Sequence, residues 1–297
     1  MALFPRRSAG RPPTNGMDSK SKTGITLDPD IATRLNQEAN KSALINELLR
    51  RHYSMYDSCR RLNHVYQLLN QGCTEHNKLS VSRIAHILGL EKVGTLQSYF
   101  DGTSEPTFQF LDAFAAPFGI FPSWLKFGEG NPFFSKEPMH LYATSYLNRI
   151  EELSLKCIYF IKSNHEAGDS GILLQLSDFE FVYFPKTWPI SSYVGGTGLS
   201  QILEFYKLTM TLKTEHPSIG CQGRIIDRNR FSDLFSGRIF AGFVTTENEN
   251  PWWDDFTDIY RENQDAATYE ESYGKEFLKA QDSVKYFFEL TNKNNGL

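Results

Sequence analysis

The residues of this chain that could do chemistry fall into distinct groups, and each group implies a different kind. Gly168-Asp169-Ser170 offers a serine hydroxyl, a nucleophile only where a base activates it. Cys73-Thr74-Glu75-His76 holds a C-x-x-H pair, with Cys59 and His64 upstream. A structural zinc site needs converging ligands from a loop-rich unit, whereas these flank an apolar helical pattern, so no metal is expected. Gly195-Gly196-Thr197-Gly198 is glycine-rich but has neither the lysine of a phosphate-binding loop nor the spacing of a dinucleotide fingerprint. It reads as a loop, and no cofactor is expected. The last group is cationic and lies near the N-terminus: Arg6, Arg7, Arg11, Lys20 and Lys22, followed by the hydroxyls of Thr26 and Ser42. Its chemistry is recognition of a polyanion.

Charge distribution favours that last group. The net charge is -4 over 297 residues, but residues 1–62 hold eleven Lys/Arg against six Asp/Glu. Residues 63–134 hold four against six, and residues 135–297 hold sixteen against twenty-three. A basic head on an acidic body is the asymmetry expected when the head alone meets a polyanion. No apolar run approaches a membrane span, and MALFPRRSAGRPP lacks the apolar core of a secretory signal. The expected location is the cytoplasm, with the four cysteines reduced.

The elements that must position the cationic group begin with a disordered arm, residues 1–22, broken by Pro5, Gly10, Pro12, Pro13 and Gly16. Within it, Arg6-Arg7-Ser8-Ala9-Gly10-Arg11-Pro12 resembles an AT-hook core, which implies an extended Arg11 in a narrow minor groove. Thr23 to Leu27 reads as a strand. Asp28 and Pro29 are a helix cap and first-turn proline, and Ile31, Leu35 and Ala39 follow on one helical face. Ser42 is placed to cap a second helix bearing Leu44, Ile45, Leu48 and Leu49. A lone short strand needs a partner for its backbone groups, and the simplest partner is the same strand in a second chain. Residues 23–53 resemble the ribbon-helix-helix family of DNA-binding proteins. The resemblance implies a dimer whose antiparallel ribbon lies in the major groove of double-stranded DNA. Ile25 and Leu27 would then face the dimer core, and Lys22, Gly24 and Thr26 the bases. Gly24 departs from the family, which more often has a long polar side chain there. Ser42 would present its backbone N–H to a phosphate.

Residues 54–72 continue as helix through Leu62, Val65, Tyr66, Leu68 and Leu69, and residues 73–79 read as a loop. Ile84 to Leu90 is a helix closed by a glycine turn, Glu91 to Gly102 a second helix with a glycine stop. Further helices start at Ser104–Phe108 and at Phe121-Pro122-Ser123-Trp124-Leu125. This run resembles the lambda-repressor-like helix-turn-helix family at its glycines, prolines and aromatics together. The resemblance implies outward contacts to DNA from Lys92, Thr95, Gln97 and Ser98, with Leu96, Tyr99 and Phe100 inside. Against this, Glu91, Asp101 and Glu105 stand where phosphates would lie, so the unit is expected to bind DNA weakly by itself or to act in packing.

Residues 135–297 read as an acidic α+β domain serving regulation or oligomerisation. Strands are expected at Cys157–Ile161, Gly171–Leu176 and Phe179–Phe184, with a hairpin at Ser177-Asp178. Ser200–Leu212 reads as helix leading into strand, Arg238–Ala241 as a further strand, and Asp254–Asn292 as helical. Trp252 and Trp253, beside Asp254 and Asp255, could form a partner surface, or one could be core and the other a lid. Gly168-Asp169-Ser170 resembles the nucleophile motif of the LexA-type self-cleaving peptidases, which implies a neutral lysine as base, here Lys207 or Lys186, but Gly171 stands where that family has methionine and no suitable cleavage pair precedes the serine. A polar turn between strands is the expectation.

The fold class expected is therefore α+β: a short N-terminal ribbon-helix-helix (23–53), an all-α helix-turn-helix domain (54–134) and a C-terminal mixed domain (135–297). The function expected is a transcriptional regulator, dimeric or higher, not an enzyme. The alternative is an antitoxin-like or adaptor protein whose acidic C-terminal domain binds a partner protein.

Overall fold

The computed structural model describes residues 24–54, 56–71, 78–133, 135, 137–166, 168–192 and 195–294. The expected arm, with Arg11, Lys20 and Lys22, lies outside the described residues, as do Cys73 and His76. The fold is mixed α+β, with two compact units, Met1–Tyr53 and Ser54–Leu297.

In the first unit, residues 24–28 are extended, and Asp28 (φ -61°, ψ 147°) leads into helix α1, Pro29–Asn36, with proline in its first turn. The helix stops at Asn36, so Ala39 falls in the following turn rather than on the helical face. Helix α2 spans Lys41–Ser54. Its cap is Asn40, whose Oδ1 accepts the Ala43 N–H at 3.0 Å. Ser42 therefore lies inside the first turn and is not the cap, a correction that follows from the Asn40 side chain, two residues earlier, already satisfying a first-turn N–H. None of the residues of α1 is buried.

The second unit opens with helices α3 (Asp57–Leu69), α4 (Val81–Ile87), α5 (Val93–Phe100), α6 (Phe108–Ala115) and α7 (Pro122–Phe127). Leu62, Val65 and Leu69 of α3, Ile84 and Ala85 of α4, Leu96 and Phe100 of α5 and Leu111 and Phe114 of α6 make one apolar cluster. Ser80 and Thr107 cap α4 and α6 through their hydroxyls, and Arg61 bonds the Leu125 and Lys126 carbonyls at the end of α7.

Helix α8 (Ala143–Glu151) follows, then β1 (Cys157–Ser163), β2 (Asp169–Gln175), β3 (Phe181–Tyr183), β4 (Trp188–Pro189), α9 (Gly196–Glu215), β5 (Cys221–Ile226), α10 (Arg228–Phe235), α11 (Trp252–Thr257), α12 (Asn263–Tyr273) and α13 (Lys275–Asn294). The sheet order is β3-β2-β1-β5, with β4 also on β2. β1 and β2 pair antiparallel, β1 and β5 parallel. Every residue of β1 is buried, because the sheet is covered on both faces. Ile158, Phe160, Ile172 and Leu174 point to α8, α9, α11 and α13. Tyr159, Ile161, Leu173 and Tyr183 point to Phe231 and Leu234 of α10 and to Val244.

Three expectations need correction here. Ser200–Leu212 lies wholly in helix and does not run into a strand. Arg238–Ala241 is not a strand: the chain leaves α10 through Gly237 at φ +74°, with the Arg238 N–H tied back to the Asp233 carbonyl at 2.9 Å, and enters a short 3-10 turn at Ala241. Asp169 and Ser170 form the start of β2 rather than a turn.

Candidate functional site

The expected DNA-facing positions of the first unit are Gly24, Thr26 and Ser42. Gly24 and Thr26 are exposed on the extended segment, alternating with Ile25 and Leu27, which are 56% and 36% exposed. Ile31, Leu48 and Leu49 are exposed as well. Leu35, Leu44 and Ile45 are half-buried, so part of the apolar set of this unit is covered and part is open. Ser42 is exposed at the start of α2, where its carbonyl accepts from Asn46.

In the second unit, α4 closes through Gly89 (φ +66°), whose N–H bonds the His86 carbonyl while the Leu90 N–H bonds that of Ala85. The chain turns and restarts at Lys92, the N-cap of α5 (φ -133°, ψ 133°). Lys92, Thr95 and Gln97 stand exposed, as expected, and Leu96 and Phe100 are buried beneath them. Ser98 is less available: it is half-buried, and its hydroxyl donates to the Thr95 carbonyl at 2.7 Å. Gln97 donates to Asp101 at 3.2 Å. The exposed face of α5 is short, nearly neutral and polar. Arg60 pairs with Asp57, and Lys126 with Asp112 at 2.7 Å, so much of the cationic charge of these helices is spent within them.

Trp252 does not form a partner surface. It is fully buried, its Nε1–H donates to the Phe160 carbonyl at 3.0 Å, and its ring stacks on Phe205 at 5.7 Å. Burial of both ring and N–H explains the correction. Trp253 is half-buried and stacks on Phe160 at 4.8 Å, which leaves part of its edge open.

The described hydrogen bonds do not join Ser170 to Lys207. Ser170 is completely buried and its hydroxyl donates to the Trp188 carbonyl at 2.9 Å. Lys207 is an exposed residue of α9 that bridges Glu204 at 2.7 Å. Among the described residues no group of three or more His, Cys, Asp or Glu converges. Cys59 is a core thiol, with its Sγ 3.4 Å from the Ser104 carbonyl, and burial pushes it up.

The residue that sequence reasoning missed is Lys162. It follows the apolar run Cys157–Ile161 in strand β1, is 4% exposed, and is the register partner of Ser170. Its Nζ donates to the Ser163 carbonyl at 3.3 Å, and burial alone lowers it to about 8. It lines a cavity of about 650 Å³. The available signal was a lysine ending the apolar run Cys157–Ile161, which reads equally as a strand end reaching solvent.

No family model, curated protein or solved structure matches this chain. The functional reading therefore rests on the residues themselves. No described helix is long and apolar enough to cross a membrane.

Proposed function

We propose that this chain is a dimeric, sequence-specific DNA-binding transcriptional regulator of the cytoplasm, built as a ribbon-helix-helix unit (23–53), a helix-turn-helix unit (54–134) and an acidic α+β domain (135–297). The observation that carries this reading is the uncovered apolar set Ile25, Leu27, Ile31, Leu48 and Leu49. It belongs to a unit with an extended segment and two helices, inside the one net-positive region of the sequence. A second copy would cover the apolar set and pair the extended segments, which brings Thr26 of each protomer onto one polar face. Lys22, next to that face in sequence, adds charge for guanine acceptors or phosphate. Lys92, Thr95 and Gln97 supply a second, weaker contact, in keeping with the acidic balance of residues 63–134.

A mobility-shift titration against genomic fragments tests the assignment. Binding should weaken steeply with salt, fall on Lys22→Ala or Thr26→Ala, and change little on Gln97→Ala. The reverse order of effects would move the reading head to α5, and no retained fragment at low salt would end the DNA-binding proposal.

A second reading is capture of a partner protein by residues 135–297. It is favoured by the exposed run Met139, Leu141 and Tyr142, each more than three-fifths exposed, on the acidic part of the chain. A basic protein that co-purifies with the chain and is lost on Leu141→Asp would support it.

A further inference from the structure

In sheets with parallel strands, ligands collect beyond the carboxyl ends of those strands, where loops diverge and leave room. The parallel pair here is β1 and β5, and their ends lie side by side, Ser163 against Ile226 in register. The cavity of about 650 Å³ opens at that place, between the ends of the strands and the junction of α12 with α13. Its volume is in the range that holds a small molecule, about 300–1,000 Å³.

The charges in the cavity wall are mostly paired. Glu276 accepts from the Ser192 hydroxyl at 2.6 Å and from Lys279 at 2.7 Å. Glu270 lies 3.8 Å from Lys275. The His165 ring lies 3.3 Å from the Arg228 guanidinium, and Glu166 is exposed at the rim. Lys162 is different. It is the most deeply buried of these groups, and among the described residues its ammonium has one acceptor, the Ser163 carbonyl at a long 3.3 Å. Among the described residues no carboxylate lies within ion-pair distance of it. A buried ammonium without a counter-charge is costly, and a strand interior has no packing need for one. The cavity in front of it supplies the missing position.

We propose that this cavity binds a small organic anion, a carboxylate or a phosphate ester, whose oxygens pair with the Lys162 ammonium while Asn164 and the Ile225 and Tyr273 side chains line the remainder of the site. The anion completes the charge pairing that the fold leaves open. Loops after β1 and the α12–α13 junction both border the site, so an occupied cavity ties the sheet to the C-terminal helices. Binding at Lys162 is independent of any contact with DNA, so a failed titration would leave the DNA-binding reading untouched.

The test uses the full chain, with malonate and inorganic phosphate as separate probes. Thermal unfolding in millimolar probe should rise by a few degrees for whichever anion fits, and the two arms distinguish a carboxylate site from a phosphate site. Lys162→Met should abolish the rise, while Lys207→Met, a surface change on α9, should retain it. A second measurement does not depend on the variant folding: reductive ¹³C-methylation of the lysines, followed by NMR, should show the Lys162 resonance moving with added anion and its titration midpoint rising. An unmoved Lys162 resonance, or an equal thermal rise in a folded Lys162→Met chain, overturns the site.

Discussion

The Tyr183 hydroxyl donates to the Phe133 carbonyl at 2.6 Å and accepts the Ser135 N–H at 3.0 Å. One phenol on β3 thus holds the segment that leaves the helices α3–α7. Phe133 is held again from the other side, its N–H bonding the Gly237 carbonyl at 3.0 Å. Asn131 adds a bond to the Ser236 carbonyl at 2.7 Å. These bonds, with Phe118 on Phe179 and Phe133 on Phe240, explain why residues 54–297 form one compact unit with no break at 134.

That junction should be sensitive to small changes. Tyr183→Phe removes the donor from a buried carbonyl and is expected to cost about 1–3 kcal/mol. Burial raises the phenol to about 12, so it remains a donor at neutral pH and the loss should not depend on pH between 6 and 9, given about 10 for a free phenol. Gly237 has φ +74°, and a Cβ there would fall 2.5 Å from the Tyr183 Oη and 2.7 Å from the Phe133 carbonyl oxygen. Gly237→Ala should therefore cost more than about 1 kcal/mol. Because both changes loosen the same contact, the double variant in urea titration should lose less than the sum.

Glu276 makes acid stability readable. Hydrogen bonds from Lys279 and Ser192 hold its carboxyl down to about 2 against an ordinary 4.5. A carboxylate depressed in the folded state stabilises it above the unfolded value, and that stabilisation is lost as pH falls toward the folded value. Wild type should thus lose stability from about pH 5 downward to about 2. Glu276→Gln should start less stable at pH 7 and show a shallower acid limb in thermal scans.

Lys162 has the opposite sign. Burial lowers its ammonium from 10.5 to about 8, so the folded state binds this proton less well than the unfolded chain. The cost is full below about pH 8, is relieved as pH rises toward 10.5, and amounts to about 3 kcal/mol by the pKa conversion. Lys162→Met, which keeps the length and drops the charge, should stabilise the ligand-free chain at pH 7 by up to that amount. It should also flatten the alkaline limb. A destabilised Lys162→Met chain at pH 7 would mean that the ammonium is well solvated by the protein.

What the sequence made legible follows from how local the cause was. Pro29, Thr107 and the glycine at 89 act within a turn of themselves, and the helices they bound fall where expected to within a few residues. Leu96 and Phe100, spaced for one helical face, are inside together, with Lys92, Thr95 and Gln97 outside. The hairpin at Ser177-Asp178 was legible too, from alternation on either side, and the Ser177 hydroxyl accepts the Glu180 N–H at 3.1 Å. Strand β5, Cys221–Ile226, was hidden because Gly223 and Arg224 break its pattern. Arg224 is 4% exposed and its guanidinium is satisfied by the Val244 and Gly223 carbonyls, partners supplied by distant or backbone atoms. Which of Trp252 and Trp253 is core was hidden for the same reason: the partner of Trp252, the Phe160 carbonyl, is ninety-two residues away. Lys162 was missed because a lysine in sequence reads as surface, and its burial is decided by α12 and α13 closing over the strand ends.

The dimer is the remaining expectation that a single substitution can decide. Leu27 and Ile25 alternate with Gly24 and Thr26, so one edge of the extended segment is apolar and the other polar. Leu27→Asp places a charge on the apolar edge. Across a two-fold interface each substitution counts twice, and a buried Leu is worth about 1.5–3 kcal/mol. The dimer should therefore weaken by about two to four powers of ten, enough to turn a micromolar sample monomeric in sedimentation velocity. Thr26→Ala, on the polar edge, should leave the sedimentation coefficient unchanged while it weakens DNA retention. If Leu27→Asp sediments like wild type, the exposed apolar set is not the dimer interface, and the extended segments of two chains do not pair.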